Sequence, residues 1–370
     1  MTPRPLSKVS SLLALALVAA VPVLSTTACD PGDDDGGTGE LLPPPPAGEG
    51  IQLTTGTFSV EPGTDEQDCY FFRVRDLAKQ GGFDPDQPLI LHRTQISYTA
   101  GSHHLNIFRV RTILDLDPAK GAVQKSQNGN APCAKSVNWA DWPLIANNQN
   151  SGSFDWTYPD GVGNELMPDE WIMLQSHYVN ATTQKTPGDA HVDVNLWMMK
   201  KEELRYPLGT LFATKQSIRV CQSNPHPKFS GACQFGSKEG VHIIGANGHF
   251  HSRGKEFRMF DWDGVTVAQP PAEAQFYDSQ KWDEPPMARY PELDEPIVPN
   301  GGIWYTCDFE WTPPPDNIGC AGLNQLDKEL FGTPDDQLDC CYTFGNTVDR
   351  AEHCNVFAYY YPKSDDIFCD

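Results

Sequence analysis

Short strand-like runs separated by turn residues fill the chain from Ile51 onward, and this pattern constrains the fold more than any other feature. The run HVDVNLWMM, which begins at His191, alternates, with Val192, Val194 and Leu196 on one face of an extended strand and polar residues on the other. The 32 prolines and 31 glycines supply turns. Many short strands of this kind are typical of all-β sandwiches and barrels. We therefore predict an all-β fold of two tandem antiparallel β-sandwich domains with jelly-roll-like topology.

An interruption near the middle of the chain marks the predicted boundary between the two domains. The run KKEELRYPLG breaks the strand pattern around residue 204, and the second half then repeats the same style of short strands. We predict one sandwich over residues 53–203 and the other over residues 204–370. Ahead of them, residues 30–52 are rich in Gly, Pro and Asp, which cannot build a core. This composition predicts an extended, disordered linker.

Residues 1–29 predict an export signal. Positive charge at Arg4 and Lys8 precedes a short apolar run, SLLALALVAAVPVL, and STTAC follows, ending at Cys29. The apolar run is too short for a comfortable membrane span and is typical of a signal peptide. The arrangement resembles bacterial lipoprotein signals, in which the first mature residue is a lipid-modified cysteine, although Thr26 stands where such signals usually carry leucine. Ordinary cleavage after Ala28 is the alternative.

The number of cysteines favours lipidation. The chain has 11 cysteines, and assigning Cys29 to a lipid leaves ten, which can form five disulfides. We expect disulfides rather than metal thiolates, because exported thiols usually oxidise and the chain has no Cys-x-x-Cys pair. The neighbours Cys340 and Cys341 are expected to pair with different partners. We therefore predict an exported protein, anchored by lipid to a bacterial membrane and facing the periplasm or the cell exterior.

The formal net charge of −22 excludes one class of partners. A chain of this sign is repelled by the phosphate backbone of DNA or RNA, so we expect no nucleic acid to bind. Hydrophobic residues make up 39% of the chain, which is enough for a folded core. The main indication of function in the sequence comes from the histidines.

Six of the ten histidines fall into four short motifs: SHH at His103 and His104, LQSHY at His177, GHFH at His249 and His251, and EHCN at His353. Residues two apart on a strand project from the same face, so His249 and His251 can share an ion while Phe250 points away. The neighbours His103 and His104 can share a site only across a bent strand or through different ring nitrogens. A single histidine is more simply explained as a surface residue or a hydrogen-bonded polar residue, but the combination predicts a copper, zinc or iron site.

Taken together, these motifs resemble those of the copper type II, ascorbate-dependent monooxygenases, the family of peptidylglycine α-hydroxylating monooxygenase and dopamine β-monooxygenase. The resemblance runs in order over roughly residues 55–370. It implies that His103, His104 and His177 hold a first copper, which stores and passes an electron. It also implies a second copper, which binds O₂ and hydroxylates a C–H bond, on the catalytic set His249, His251 and His353. Ascorbate or a similar reductant reduces both ions.

The chain departs from the family at three positions that bear on the chemistry. His353 stands where the family has a methionine ligand, so a stronger nitrogen donor replaces a soft thioether. Asn247 and Phe357 stand where peptide-amidating members have an arginine and a tyrosine that bind the substrate, so we do not expect a peptide-glycine substrate. Gln175 and Asn355 match the family, and we expect them to make polar contacts behind the ligands.

The resemblance also implies the disulfides Cys69–Cys133, Cys233–Cys369 and Cys307–Cys354, and leaves Cys221, Cys320, Cys340 and Cys341 as additional cysteines. The Cys307–Cys354 bond would anchor the strand that bears His353, which supports a ligand from behind.

These features predict a copper-dependent monooxygenase that hydroxylates a C–H bond of a small organic substrate with O₂ and an ascorbate-type reductant. The main alternative is a non-catalytic copper-binding lipoprotein for copper storage, delivery or tolerance, which keeps the ligands and loses turnover. A third interpretation is an adhesion or carbohydrate-binding β-sandwich with incidental histidines, which predicts no tight copper binding.

Overall fold

Strands make up most of the secondary structure, because the chain alternates β-branched and aromatic residues with polar ones in short runs. The computed structural model describes residues 41–99, 102–110, 123–124, 142–149, 153–180, 190–345, 348–364 and 366–370, without the side chains of residues 64–67, 103, 123 and 124. The predicted export signal, Cys29 and Cys133 lie outside the described residues.

The strands of the first half are β1 (Gly50–Thr54), β2 (Thr64–Arg73), β3 (Leu89–Tyr98), β4 (Ser102–Arg109), β5 (Val123–Gln124), β6 (Leu144–Asn148), β7 (Ser153–Thr157), β8 (Val162–Leu166), β9 (Trp171–Asn180), β10 (Val192–Met199) and β11 (Tyr206–Pro207). The strands that follow are β12 (Gly209–Thr214), β13 (Arg219–Val220), β14 (Lys228–Phe235), β15 (Val241–His249), β16 (Gly254–Trp262), β17 (Gln275–Ser279), β18 (Ala288–Arg289), β19 (Glu295–Ile297), β20 (Gly302–Phe309), β21 (Tyr342–Phe344), β22 (Ala351–Glu352), β23 (Asn355–Tyr361) and β24 (Ile367–Cys369). The helices within the described residues are α1 (Val74–Gln80) and α2 (Gly319–Phe331), with short 3₁₀ turns at Lys201–Glu203, Ala272–Ala274 and Asp335–Gln337.

The first half is a sandwich of two sheets. The first sheet has the strand order β1-β10-β3-β8-β11, with β7 paired to β3, and the second sheet has the order β5-β2-β9-β4-β6. Their shared core includes Val192, Val194 and Leu196 of β10, which are fully buried as the alternation of that strand predicts. Ile107 of β4 and Leu174 of β9 meet them from the second sheet.

The predicted linker over residues 30–52 is too long, because its last residues are folded. β1 begins at Gly50 and pairs antiparallel with β10. Ahead of β1, the backbone N–H of Leu42 donates to the Asp193 carboxylate (3.1 Å), and the Asn195 side-chain amide donates to the carbonyl of Pro43 (2.9 Å). The composition of residues 30–52 does not reveal these contacts, because backbone groups of the segment make them with polar side chains far away in the sequence.

The second half is also a sandwich. The third sheet has the order β12-β23-β15-β18, with β19 paired to β15, and the fourth sheet has the order β17-β16-β20-β14-β24. A small sheet, β13-β21-β22, lies beside them. Strand pairs are antiparallel except β8 with β11 and β21 with β22, among the described residues. The predicted all-β sandwich class is confirmed.

The third sheet has buried residues on both of its faces. One face contributes Val241, Ile243 and Ala246 to the second hydrophobic core. The other contributes Phe357 and Tyr359 to the first core, and residues 36–370 form one compact unit. This face packs against the first sandwich, which brings the ends of β15 and β23 close to β4 and β9.

Four disulfides join cysteines within the described residues: Cys221–Cys341, Cys233–Cys369, Cys307–Cys354 and Cys320–Cys340. The second and third of these are pairs that the family resemblance implies. Cys340 and Cys341 have different partners, as predicted. Cys69 is disulfide-bonded as well, and its predicted partner lies outside the described residues.

A helix can cross a membrane only if it is long and apolar enough. Neither helix of the described residues combines the length and the apolar character that crossing a membrane requires.

Candidate metal centre

His104 and His177 face each other across two neighbouring strands of the second sheet. β4 pairs with β9, and His104 lies directly opposite His177. The two Nδ1 atoms are 3.3 Å apart, and the rings meet edge to face with centroids 4.7 Å apart. His177 is buried and His104 is partly buried. Two imidazoles at this spacing can offer nitrogen atoms to one ion.

The strand that bears the His-His pair is distorted at that pair. The register of β4 against β9 shifts between Ser102 and His104, which marks a β-bulge at His103. A bulge places two residues of one strand against one residue of its partner and re-aims their side chains. This is the locally bent strand that the adjacent histidines predict, with His177 arriving from a different strand. The side chain of His103 lies outside the described part of the chain.

His249 ends β15 in the third sheet, and His251 follows two residues later, just outside the strand. Both rings are buried beside the first sandwich. Phe250 lies in the second core, so it points away from both histidines, as predicted. Gly248 precedes them and faces the opposite side of β15. A Cβ atom at Gly248 would meet the ring of Phe257 at 2.2 Å. The absent side chain at Gly248 therefore lets β15 pack closely over the second core.

His353 completes this second group from the short segment between β22 and β23. β23 pairs with β15, and Asn355 lies opposite His249. The His353 ring centroid is 4.3 Å from that of His251 and 5.6 Å from that of His249. Nitrogen atoms of the three rings lie within 4.8 Å of one another, and all three residues are buried. Three imidazoles in this arrangement form a nitrogen donor set suited to a copper or zinc ion.

Five of the six predicted ligands line one cavity of about 30 Å³. His104, His177, His249, His251 and His353 all lie on its wall. His104 of the second sheet and His249 of the third sheet have ring centroids only 5.6 Å apart. The remaining lining residues are Asn106, Gln149, Phe212, Asn355 and Phe357. Sequence motifs predict the two sets, but their convergence depends on how the two sandwiches pack.

The hydrogen bonding and charge state of His251 fit a metal ligand. Its Nδ1–H donates to the backbone carbonyl of Ala351 (2.9 Å), which leaves the lone pair of Nε2 for an ion. Burial lowers the pKa of His251 well below its usual value, and the charge of nearby His353 lowers it further. The ring is therefore neutral at neutral pH, the state that binds metal, and a proton competes for it only in acid.

A buried ion pair holds the loops that carry His251 and His353. Glu352 accepts hydrogen bonds from the backbone N–H groups of His251 (3.0 Å) and Arg253 (3.1 Å). The Arg253 guanidinium lies 3.3 Å from the same carboxylate and donates to the carbonyls of Val348 and Asp349. Burial raises the pKa of Glu352 to about 7, although Arg253 opposes that rise. Sequence reasoning missed this pair, although both residues stand beside ligand motifs.

Carboxamide side chains surround the first group. The Asn106 amide donates to the side-chain oxygen of Gln175 (3.0 Å). Asn355 lines the cavity itself, closer to the histidines than predicted. Gln149 also lines it and was missed by sequence reasoning. The polar run NNQN at 147–150 is the only sequence signal that pointed to it.

A second group of metal-ligand residue types, Cys221, Asp339 and Cys341, does not compete with the histidines. Their sulfur and oxygen atoms lie within 4.8 Å of one another. The two cysteines are joined to each other in a disulfide. Their sulfur atoms are therefore not thiolates, which is the form that binds metal.

Comparison with known proteins does not identify the family. No protein-family model matches the chain, and a search of curated proteins finds no match. The function is therefore argued from the residues and geometry of the cavity.

The disulfide beside His353 is expected to affect both stability and copper affinity. Cys307 and Cys354 close a loop of 47 residues, so the double variant C307A/C354A should lose about 4 kcal/mol of the free energy of unfolding. Copper affinity should fall too, because Cys354 follows His353 directly. The matched control is C233A/C369A, which should lose a similar free energy in urea titrations and keep its copper affinity. Equal copper affinities in the two variants would contradict a supporting role for Cys307–Cys354.

Proposed function

We propose that this protein is a copper-dependent oxidoreductase of the monooxygenase type, which hydroxylates a C–H bond of a small organic substrate with O₂ and an ascorbate-type reductant. The observation that carries the proposal is the cavity in which five histidines from both sandwiches converge. Neutral imidazoles suit copper in its reduced and oxidised states. When bound, copper would supply one-electron redox chemistry and reactivity toward O₂.

In this proposal the histidines act as two sets. His103, His104 and His177 hold one ion, and His249, His251 and His353 hold the other. The carbonyl of Ala351 fixes the orientation of the His251 ring. The burial of the second set keeps bulk water away from it and limits unproductive reactions of the ions.

The residues at the two positions where peptide-amidating members bind their substrate, Asn247 and Phe357, argue against a peptide-glycine substrate. Asn247 is fully buried, and its side-chain oxygen accepts a hydrogen bond from Asn147 (3.1 Å). Asn147 in turn accepts a hydrogen bond from the Tyr359 hydroxyl (2.7 Å). Phe357 stacks on Phe212 with ring centroids 4.8 Å apart. These positions supply no cation for a substrate carboxylate, so the proposed substrate is a different small organic molecule.

The proposed location is outside the cytoplasm, with Cys29 carrying a lipid anchor in a bacterial membrane. The disulfides of the described residues support this part of the proposal, because such bonds persist in oxidising compartments. Mass spectrometry of the membrane fraction would test it, with a lipid-modified N-terminal Cys29 as the expected result.

The alternative is a non-catalytic copper-binding protein for storage, delivery or tolerance. Two observations favour it. The cavity of about 30 Å³ is too small for an organic substrate between the histidines. His353 also gives the second set a third imidazole where the family has a thioether. Under this alternative the ions bind tightly and undergo reduction without turnover.

The test is coupling of oxygen uptake to product formation. The copper-loaded full chain is supplied with ascorbate, isotopically labelled dioxygen and a panel of small amines, phenols and alkyl aromatic compounds. The expected result is labelled oxygen in an organic product, with oxygen uptake dependent on ascorbate. Reduction and reoxidation of the ions with all of the oxygen recovered as peroxide or water would overturn the enzyme proposal and favour the alternative. Binding of less than one copper per chain would overturn both.

A further inference from the structure

The histidine rings form an unbroken series from one sandwich to the other. Between the sandwiches, the His104 and His249 ring centroids are 5.6 Å apart. Within the second group, the His249 centroid is 5.4 Å from that of His251 and 5.6 Å from that of His353. The step between the two predicted sets is therefore no larger than the steps within one of them. The ring positions do not divide the cluster into two separate sites.

The space between the rings is small. The cavity of about 30 Å³ has room for one or two water-sized molecules and for nothing much larger. Phe212 and Phe357 form an apolar part of its wall, and no carboxylate lies among its described lining residues. Two cations in this cavity would repel each other strongly unless a small ligand between them carried negative charge.

Three carboxamides are placed to receive hydrogen bonds from such a ligand. The side-chain oxygens of Asn106, Gln149 and Asn355 are buried and have no hydrogen-bond partner among the described residues. All three residues line the cavity. A buried acceptor without a donor is costly, so an O–H group on a ligand held between the ions would satisfy one or more of them.

We propose that the histidines form one binuclear copper centre, in which two ions face each other across the cavity and share one bridging hydroxide. This inference rests on the proposed copper-binding function. It differs from two independent sites, because the two ions are magnetically coupled and an organic substrate cannot lie between them. His104 and His249 are the ligands at the junction of the two sets.

The inference is tested by comparing copper content with electron paramagnetic resonance of the oxidised, copper-loaded full chain. The wild type should bind two copper ions per chain, while its integrated spin count stays well below its copper count. H177A should bind one copper, retained by His249, His251 and His353, and this copper should be fully visible. Removing a ligand therefore raises the signal per copper. H242A is the matched control, because His242 lies on the same strand as His249 but is exposed and paired with Asp294.

Each outcome separates the inference from the proposed function. Two bound coppers with two isolated signals that account for every copper would overturn the binuclear centre and leave copper binding in place. One fully visible copper in the wild type would also overturn it. Less than one copper per chain in the wild type would overturn the proposed function itself. If H177A does not fold, H104Q removes a ligand from the same set and should give the same rise in signal per copper.

Discussion

H251A is expected to abolish copper binding by the group of His249, His251 and His353. The ring of His251 is one of three whose nitrogen atoms lie within 4.8 Å of one another, and burial keeps it neutral and ready to bind. Changes to residues that only support a ligand typically cost about 10–100-fold in metal affinity, so loss of the ligand itself should cost more than about 100-fold.

The measurement is a copper titration against a competing chelator, together with the copper content of the dialysed protein. H251A should bind one ion fewer than the wild type and keep the ion on the His104 and His177 side. H242A, on the strand that precedes His251, should bind as the wild type does. Unchanged copper content in H251A would remove this residue from the ligand set.

R253M is expected to be the most destabilising single substitution in the loops around the second group. Arg253 and Glu352 form a buried ion pair, with side chains 6% and 0% exposed. Removing one partner leaves a buried carboxylate without its cation, which typically costs about 3–5 kcal/mol of the free energy of unfolding. The double variant R253M/E352Q removes both charges and keeps a side-chain oxygen that can accept from the backbone N–H groups of His251 and Arg253, so it should recover part of that loss.

The loss of unfolding free energy in R253M should increase with pH. The pKa of Glu352 is raised to about 7 by burial, and loss of the neighbouring guanidinium should raise it further. A carboxyl with a raised pKa in the folded state contributes stability that is complete below its unfolded pKa of about 4.3 and is lost as the pH rises through the folded pKa. Since the wild-type carboxyl ionises at about pH 7 and that of the variant at a higher pH, the deficit of R253M in metal-free urea titrations should stay nearly constant up to about pH 6 and grow from there to about pH 8. A deficit independent of pH would contradict this account of the pair.

Local features of the site were predictable because they depend on strand periodicity. The spacing of His249 and His251 predicts that both rings lie on one face. The adjacent pair at His103 and His104 can share a site across a bent strand or through different ring nitrogens, and β4 has a bulge at this pair. The different partners of Cys340 and Cys341 follow from the difficulty of joining neighbours. These predictions need only a few residues of context.

Other features of the site were not predictable because they arise from packing between distant segments. The contact of His104 with His249 joins two sandwiches, and no local pattern reports how those sandwiches are oriented. The Arg253–Glu352 pair is buried. From sequence alone, charged residues are expected to be exposed to solvent unless a partner is known. The folded end of the predicted linker was missed for the same reason, since its partners lie on β10.

Anomalous diffraction at the copper absorption edge, from crystals of the copper-loaded protein, tests the assignment of the histidine cavity most directly. We expect two copper peaks in that cavity, one beside His104 and His177 and the other beside His249, His251 and His353. Copper peaks only outside the cavity, or none at all in crystals of protein shown to be soaked to saturation, would contradict the proposed metal centre.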